Sequence, residues 1–170
     1  MTMSTTQQLA AALVEKTFIA TELYDTGGFV PFIAATDGLT AEQAAAVPSE
    51  RVNSVWAIVN HISYLQTQMY KALLREEGEP PSMDAAWRPP GEITEGNWQA
   101  ARQQALDSNR KLAEVIAVLR DDQLKQNLPG WFGAPTDWAI FIIHGHLSYH
   151  TGEIVTVRHM QGLWVDHPFA

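Results

Sequence analysis

Apolar residues recur at intervals of three and four along four long stretches of the chain, the pattern of amphipathic helices with one buried face. Clusters of proline and glycine separate these stretches. The predicted helices span about residues 5–26, 52–77, 94–120 and 136–161. No stretch of useful length alternates between apolar and polar residues as a half-buried strand does. The pattern therefore predicts an all-α fold, an antiparallel four-helix bundle with long crossover loops.

Capping residues predict where several helices begin and end. Thr40 and Gln43 form a capping-box pattern for a brief helix that ends before Pro48. Gly78, with the prolines that follow it, predicts the end of the second long helix. Thr136 is the predicted N-cap of the fourth long helix, and Gly162 its C-terminal stop.

Length and charge limit the kinds of protein this can be. A chain of 170 residues is long enough for one domain with a sizeable core, and we expect residues 1–170 to form a single domain. The net charge of −8, from 19 acidic and 11 basic residues, argues against a nucleic-acid partner, which needs clustered lysine and arginine. No cysteine is present, so a transition-metal site must use histidine and carboxylate ligands.

The sequence predicts a cytoplasmic protein without a membrane partner. The apolar run from Leu9 to Val14 is short and lacks the basic leader of a signal peptide. The longest uncharged stretch, from Trp138 to Gly152, is shorter than the roughly 20 residues of a membrane span. The absence of cysteine is consistent with a reducing compartment.

Three histidines form a candidate metal site. His146 and His150 lie one helical turn apart on one face, so both imidazoles can reach the same ion. His61 stands in the second long helix, and facing helices of a bundle commonly build metal sites in the core. Three neutral imidazoles leave a tetrahedral ion with one open position, the arrangement of catalytic zinc. His144 points roughly 200° away from His146, and it is not assigned to the metal.

Glu153 follows the histidine pair on nearly the same stripe of the fourth helix, and its role has three readings. It is the candidate catalytic residue, as a general base acting on a metal-bound water. It could also be a fourth ligand, or it could hold a ligand imidazole in one tautomer, and we slightly favour this last role. Side chains that could support the ligands in the same way are Asn60, Tyr64 and Tyr149.

The remaining candidates carry weaker signals. His159 and His167 lie off the stripe or in the tail, and neither is assigned to the metal. Trp87 and Trp131 fall in the crossover loops, where an aromatic ring either lines a substrate entrance or simply packs the loop.

Three motifs of the chain resemble those of one known family. Asn60-His61 lies in a helix that begins Ser54-Val-Trp56, and Leu-Thr-Ala-Glu-Gln43 precedes that helix. The run from His146 to Ile154 is similar to the pattern His-x3-His-x-Gly-Gln-Ile. On these motifs the chain resembles the DinB-like superfamily, also called the YfiT type, over nearly its whole length. It departs from the family pattern at Glu153, where glutamine is usual.

The resemblance implies a fold, a metal and a class of chemistry. It implies an up-down-down-up bundle with a nickel, zinc or iron ion held by His61, His146 and His150. It also implies a homodimer, since many members dimerise. Members of known activity are transferases and isomerases that use low-molecular-weight thiols, so the expected partner is a small-molecule substrate of that kind.

Two hypotheses of different class follow. In the first, the protein is a metal-dependent enzyme, a thiol-dependent S-transferase or a metal-assisted hydrolase that acts on a small molecule. In the second, it is a non-catalytic metal-binding bundle with a stress-related or scaffold role. An open coordination position beside a pocket favours the first, and a closed four-ligand site favours the second.

Overall fold

All named secondary structure in the described part of the chain is helical. A computed structural model describes residues 5–19, 30–76, 81–131 and 133–164. Within these ranges the one β-type pairing is an isolated bridge between Asn127 and Pro135. No helix among these residues has both the length and the apolar character needed to cross a membrane. The all-α class is therefore confirmed.

Four long helices and four short ones make up the described structure. The long helices are α1 (Thr5–Ile19), α4 (Val55–Leu73), α6 (Glu95–Ala117) and α8 (Thr136–Met160). The short helices are α2 (Phe32–Thr36), α3 (Ala41–Ala45), α5 (Met83–Ala86) and α7 (Asp121–Leu124). All four predicted long helices are present, and the predicted continuation of the first over residues 20–26 lies outside the described residues.

The long helices enclose one hydrophobic core. Helix α4 packs against α6 and α8, and α1 packs against the same two helices. Trp98 of α6 is fully buried beside Trp56 of α4, with ring centroids 5.5 Å apart. Phe18 of α1 stacks on Phe32 of α2 at 4.4 Å. The apolar stripes seen in the sequence are therefore the faces that meet in the core.

The beginnings of the helices agree with the sequence at Thr40 and differ at Thr136. The Thr40 side chain accepts a hydrogen bond from the Gln43 backbone N–H, and the Gln43 side chain accepts one from Thr40, so the capping box is confirmed. The prediction that Thr136 is an N-cap is wrong. Pro135 occupies the cap position, and the Thr136 hydroxyl instead donates to the Gln126 carbonyl at 2.9 Å.

Helices α8 and α4 are each followed by one residue whose backbone adopts the left-handed conformation, with positive φ. Gly162 terminates α8 with φ +67°, as predicted. Helix α4 ends at Leu73, before the predicted stop at Gly78, because Arg75 adopts φ 60°. The following N–H, of Glu76, then donates to the Lys71 carbonyl and closes the helix end. Arginine at a position that favours glycine is unusual and strained.

The capping box predicts the effect of changing Thr40. Thr40→Ala removes the acceptor for the Gln43 N–H and should lower the free energy of unfolding by about 1 kcal/mol. Thr40→Ser keeps the hydroxyl and should stay close to the wild type. Urea denaturation of the three proteins measures the difference, and equal stability of the alanine and serine variants would contradict this role.

Candidate metal centre

Helix α4 places His61 in the core with its ring oriented by a backbone carbonyl. The helix starts at Ser54, whose side chain accepts a hydrogen bond from the Ala57 N–H. One face of the helix is buried, and His61 on that face is 3% exposed. Its Nδ1 lies 3.2 Å from the Ala86 carbonyl oxygen. Because a carbonyl only accepts, Nδ1 carries the proton of the neutral ring and Nε2 presents a lone pair.

The segment after α5 covers the other side of His61. The Trp87 ring stacks on the His61 ring with centroids 3.8 Å apart and planes 10° apart. It also meets His150 edge-on at 5.7 Å. The Asn60 side chain donates to the Arg88 carbonyl at 3.2 Å, which ties this segment to α4. Trp87 therefore covers one side of the histidine cluster and does more than pack the loop.

Helix α8 supplies the other two histidines from consecutive turns. The rings of His146 and His150 are 4.3 Å apart and nearly perpendicular. His150 Nδ1 lies 2.7 Å from Glu153 Oε2, a distance typical of an N–H donating to a carboxylate. In the neutral His150 ring this bond also leaves the lone pair on Nε2. Glu153 therefore fixes the tautomer of His150, as Ala86 fixes that of His61.

The three Nε2 atoms converge on one point between α4 and α8. His146 Nε2 lies 3.2 Å from His61 Nε2 and 3.0 Å from His150 Nε2. The three ligand atoms all lie within 4.8 Å of one another. Imidazole nitrogens on a tetrahedral zinc ion are about 3.3 Å apart, given zinc–nitrogen bonds of about 2.0–2.1 Å. The spacing therefore fits three ligands of one divalent ion.

Proton counting also favours a cation at this point. His61 and His150 both turn lone pairs inward, so neither can donate to the other. His146 has one ring proton when neutral, and from Nε2 it can be donated to only one of the two at a time. Its own Nδ1 is buried without a hydrogen-bond partner. A cation at the centre would satisfy all three Nε2 atoms together, with the His146 proton on Nδ1.

Burial keeps two of these rings neutral. Loss of solvent lowers the pKa of His61 from 6.5 to about 4, assisted by the nearby His150 and opposed by the Ala86 carbonyl. Loss of solvent likewise lowers the pKa of His146 to about 4, with His150 and His61 adding to the effect. Only a neutral imidazole ligates a metal, so both are ready to bind at neutral pH.

Glu153 lies on the far side of His150 from the converging nitrogens. Its Oε2 contacts Nδ1, and the group of ligand atoms consists of the three histidines. Of the other proposed supports, Tyr64 accepts a hydrogen bond from the Ser82 N–H instead of contacting an imidazole. Tyr149 is largely exposed, and its ring meets the His150 ring edge-on at 4.9 Å.

His144 and His159, which the sequence left unassigned, lie outside the histidine cluster. Burial lowers the pKa of His144, but its ring is not among the converging ligands. His159 is exposed and packs edge-on against Trp164 at 5.1 Å. His167 falls outside the described residues.

Two contributors to the site were missed by sequence reasoning in whole or in part. The Ala86 carbonyl left no sequence signal, because every residue carries a carbonyl. Trp87 carried a weak signal, as an aromatic in a crossover loop, but nothing in the sequence indicated stacking on His61.

Comparison with known families places this cluster in context. A model of the DinB superfamily matches residues 32–154, a range that contains all three histidines and Glu153. The chain belongs to the DinB superfamily. Neither the curated proteins nor the solved structures contain a match to it. As a DinB superfamily member, it has a histidine triad whose geometry could hold a metal ion.

The triad predicts which substitutions abolish metal binding. His61→Ala, His146→Ala and His150→Ala should each weaken binding by more than the roughly 10–100-fold that loss of an outer hydrogen-bond partner costs. His144→Ala and His159→Ala serve as controls and should keep wild-type metal content.

Elemental analysis after dialysis against a weak chelator measures the metal content, with circular dichroism to confirm folding. Full stoichiometric metal in His61→Ala would show that the ligand set is wrong.

Proposed function

We propose that this protein is a metal-dependent enzyme that acts on a small molecule, most simply a thiol-dependent S-transferase or a metal-assisted hydrolase. The observation that supports this best is the convergence of three Nε2 atoms, two of them from rings with fixed tautomers. A site with three protein ligands leaves a coordination position for a substrate, which a closed structural site does not.

A divalent zinc, nickel or iron ion bound there would lower the pKa of a thiol or water ligand and so provide a nucleophile at neutral pH. The protein's part is to keep His61 and His146 neutral and to turn the ligand imidazoles toward the ion. Trp87 shields one face of His61 from water, which strengthens electrostatic interactions inside the site.

We assign Glu153 the role of positioning His150, in preference to general base or fourth ligand. Its Oε2 is engaged by the His150 Nδ1–H at 2.7 Å, and a carboxylate in that contact raises the basicity of the imidazole toward an ion. Glutamine, the usual family residue, can accept the same hydrogen bond through its amide oxygen.

The alternative is a non-catalytic metal-binding or scaffold bundle. Its support is that the Glu153 carboxylate beside the triad is already engaged by a ligand histidine. Glu153 is then not free to act as an acid or a base. The two functions differ in turnover: a scaffold would bind the metal through the same histidines and convert no substrate.

We further propose the finer architecture that the family resemblance implies. Residues 1–170 would form one domain in which the long helices run up, down, down and up. The packing of α1 and α4 against the same two helices supports a bundle of this kind. The lack of cysteine is consistent with activity in the reducing cytoplasm.

We propose that the protein is a homodimer that pairs through the outer face of α8. Trp138, Phe141 and Tyr149 on this face are 53%, 64% and 68% exposed. Together they offer on the order of 400 Å² per chain, so a symmetric pair with its flanking residues approaches the roughly 1,000 Å² of a specific interface.

Two glycines make this face self-complementary. Gly145 lies midway between Phe141 and Tyr149, and also midway between Trp138 and Gly152. In an antiparallel pair centred on Gly145, each large Trp138 would face the small Gly152 of the other copy. A Cβ at either glycine would meet nothing within 4 Å in its own chain. Glycine inside a helix costs about 0.5–1 kcal/mol, so these two need a reason outside the protomer.

The dimer predicts a specific cross-link. Because the chain has no cysteine, Gly145→Cys introduces a single thiol at the proposed two-fold axis. Mild oxidation should convert most of that variant to a disulfide-linked dimer on a non-reducing gel. Val118→Cys, which is 74% exposed at the end of α6, is the matched control and should stay monomeric on the gel. A wild-type protein that sediments as a monomer would overturn the proposal.

The role of Glu153 predicts different results for two variants. Glu153→Gln keeps an acceptor for His150 and should retain metal and most activity. Glu153→Ala removes the acceptor and should weaken metal binding about 10–100-fold. If Glu153 were the general base, Glu153→Gln would instead lose about 10²–10⁴-fold in activity with metal still bound.

Activity is measured with a panel of thiols and electrophiles and of simple esters and amides. The variant lacking all three histidines is the metal-free control, and Glu114→Gln, exposed on α6, is the control for loss of charge. Equal turnover by wild type and the triple-histidine variant would exclude metal catalysis and leave the scaffold function.

A further inference from the structure

A cavity of about 700 Å³ lies between α4 and the segment that precedes α6, and Ala85 and Arg88 of its lining flank the two residues that contact His61. One wall is the face of α4 that carries Tyr64, Gln68 and Lys71, continued by Arg75. Residues of the segment 81–88 form another part, and the loop 129–131 completes the lining. The volume is in the range of small-molecule pockets, roughly 300–1,000 Å³.

The segment that lines the cavity is the one that orients His61. Ala85 and Arg88 face the cavity. Between them in the chain, the Ala86 carbonyl accepts the His61 hydrogen bond and the Trp87 ring stacks on His61. Tyr64 follows His61 by one turn of α4. A molecule in the cavity therefore lies against the same short segment that contacts the candidate metal centre.

The charge of the lining is opposite to that of the chain. Lys71, Arg75 and Arg88 line the cavity, and the described lining contains one carboxylate, Glu76. None of the three cations forms an ion pair with any residue in the described ranges. The protein as a whole has a net charge of −8. Three cations that have no ion-pair partner among the described residues, at one cavity of an acidic protein, are a feature that a bound anion would explain.

Neutral groups of the lining can also donate to an anion. The Tyr64 oxygen accepts a hydrogen bond from the Ser82 N–H at 3.2 Å, so its own O–H proton is free to donate. This bond also connects two walls of the cavity, and the bond from Asn60 to the Arg88 carbonyl likewise joins α4 to the segment 81–88. The cavity is thus held together by hydrogen bonds that leave its donors available.

Arg75 lines the cavity while its backbone adopts a strained conformation. Its φ of 60° is a conformation that glycine would adopt without strain. Its guanidinium donates to the Asn127 carbonyl at 3.1 Å and to the Gln126 side chain at 3.3 Å. A guanidinium has five N–H donors, so these bonds fix its position and leave others free. A strained residue with a fixed cationic head is typical of a binding site.

We propose that this cavity binds the anionic end, a carboxylate or phosphate group, of the small molecule that reacts at the histidine centre. Arginine forks and a lysine suit either group, because both present paired oxygens to N–H donors. As a statement about the substrate, the inference rests on the proposed function. The binding of an anion does not require the metal.

Calorimetric titration of the metal-free, full-length protein tests the inference, with succinate and inorganic phosphate as probes. One probe per chain should bind. Arg88→Gln and Lys71→Gln should each weaken that binding about tenfold or more. Both side chains are exposed, so neither change endangers folding. Arg51→Gln, an exposed arginine outside the cavity lining, is the matched control and should bind like the wild type.

The stronger probe identifies the anionic group, and both results support the site. No saturable binding of either probe at millimolar concentration would overturn it, as would equal weakening by Arg51→Gln. The triple-histidine variant should bind the probe as well as the wild type does. Retained anion binding without metal-dependent turnover would therefore remove the proposed function and leave the anion site intact.

Discussion

Two hydrogen bonds from histidine Nδ1 atoms are the interactions on which the rest of the site depends. His61 donates to the Ala86 carbonyl and His150 donates to the Glu153 carboxylate. Each bond fixes the ring proton on the outer nitrogen, so both Nε2 lone pairs face the same point. Without them either ring could turn or change tautomer. With them, the gap between α4 and α8 has the geometry of a cation site.

The surrounding structure excludes solvent from the histidine rings and holds them in position. Burial lowers the pKa of His61 and His146 to about 4, which prevents protonation at neutral pH. Trp87 stacks on His61 from the short segment whose carbonyl orients that ring. The same segment lines the cationic cavity. One stretch of chain thus links ligand orientation, shielding from water and the proposed binding of substrate.

The sequence predicted the parts of the fold and site that depend on periodicity. The four long helices and the pairing of His146 with His150 follow from the 3.6-residue repeat of the α-helix. That repeat can be read from the order of apolar and polar side chains in the sequence. The end of α4 was predicted too late, because Arg75 takes a backbone conformation that its residue type disfavours. The prediction that Thr136 is an N-cap was wrong because its hydroxyl donates to the carbonyl of Gln126, ten residues earlier in the preceding loop. The role of Ala86 was unpredictable, since it depends on a backbone carbonyl positioned by tertiary packing.

The most direct test of this account is the tautomeric state of the ring nitrogens, measured by ¹⁵N-resolved NMR of the metal-free protein labelled at histidine. We expect His61 and His150 both to carry their proton on Nδ1, and their Nε2 atoms to show the chemical shifts of an unprotonated nitrogen and to respond to added zinc. A proton on Nε2 of either ring in the metal-free protein, with no response to zinc, would contradict it.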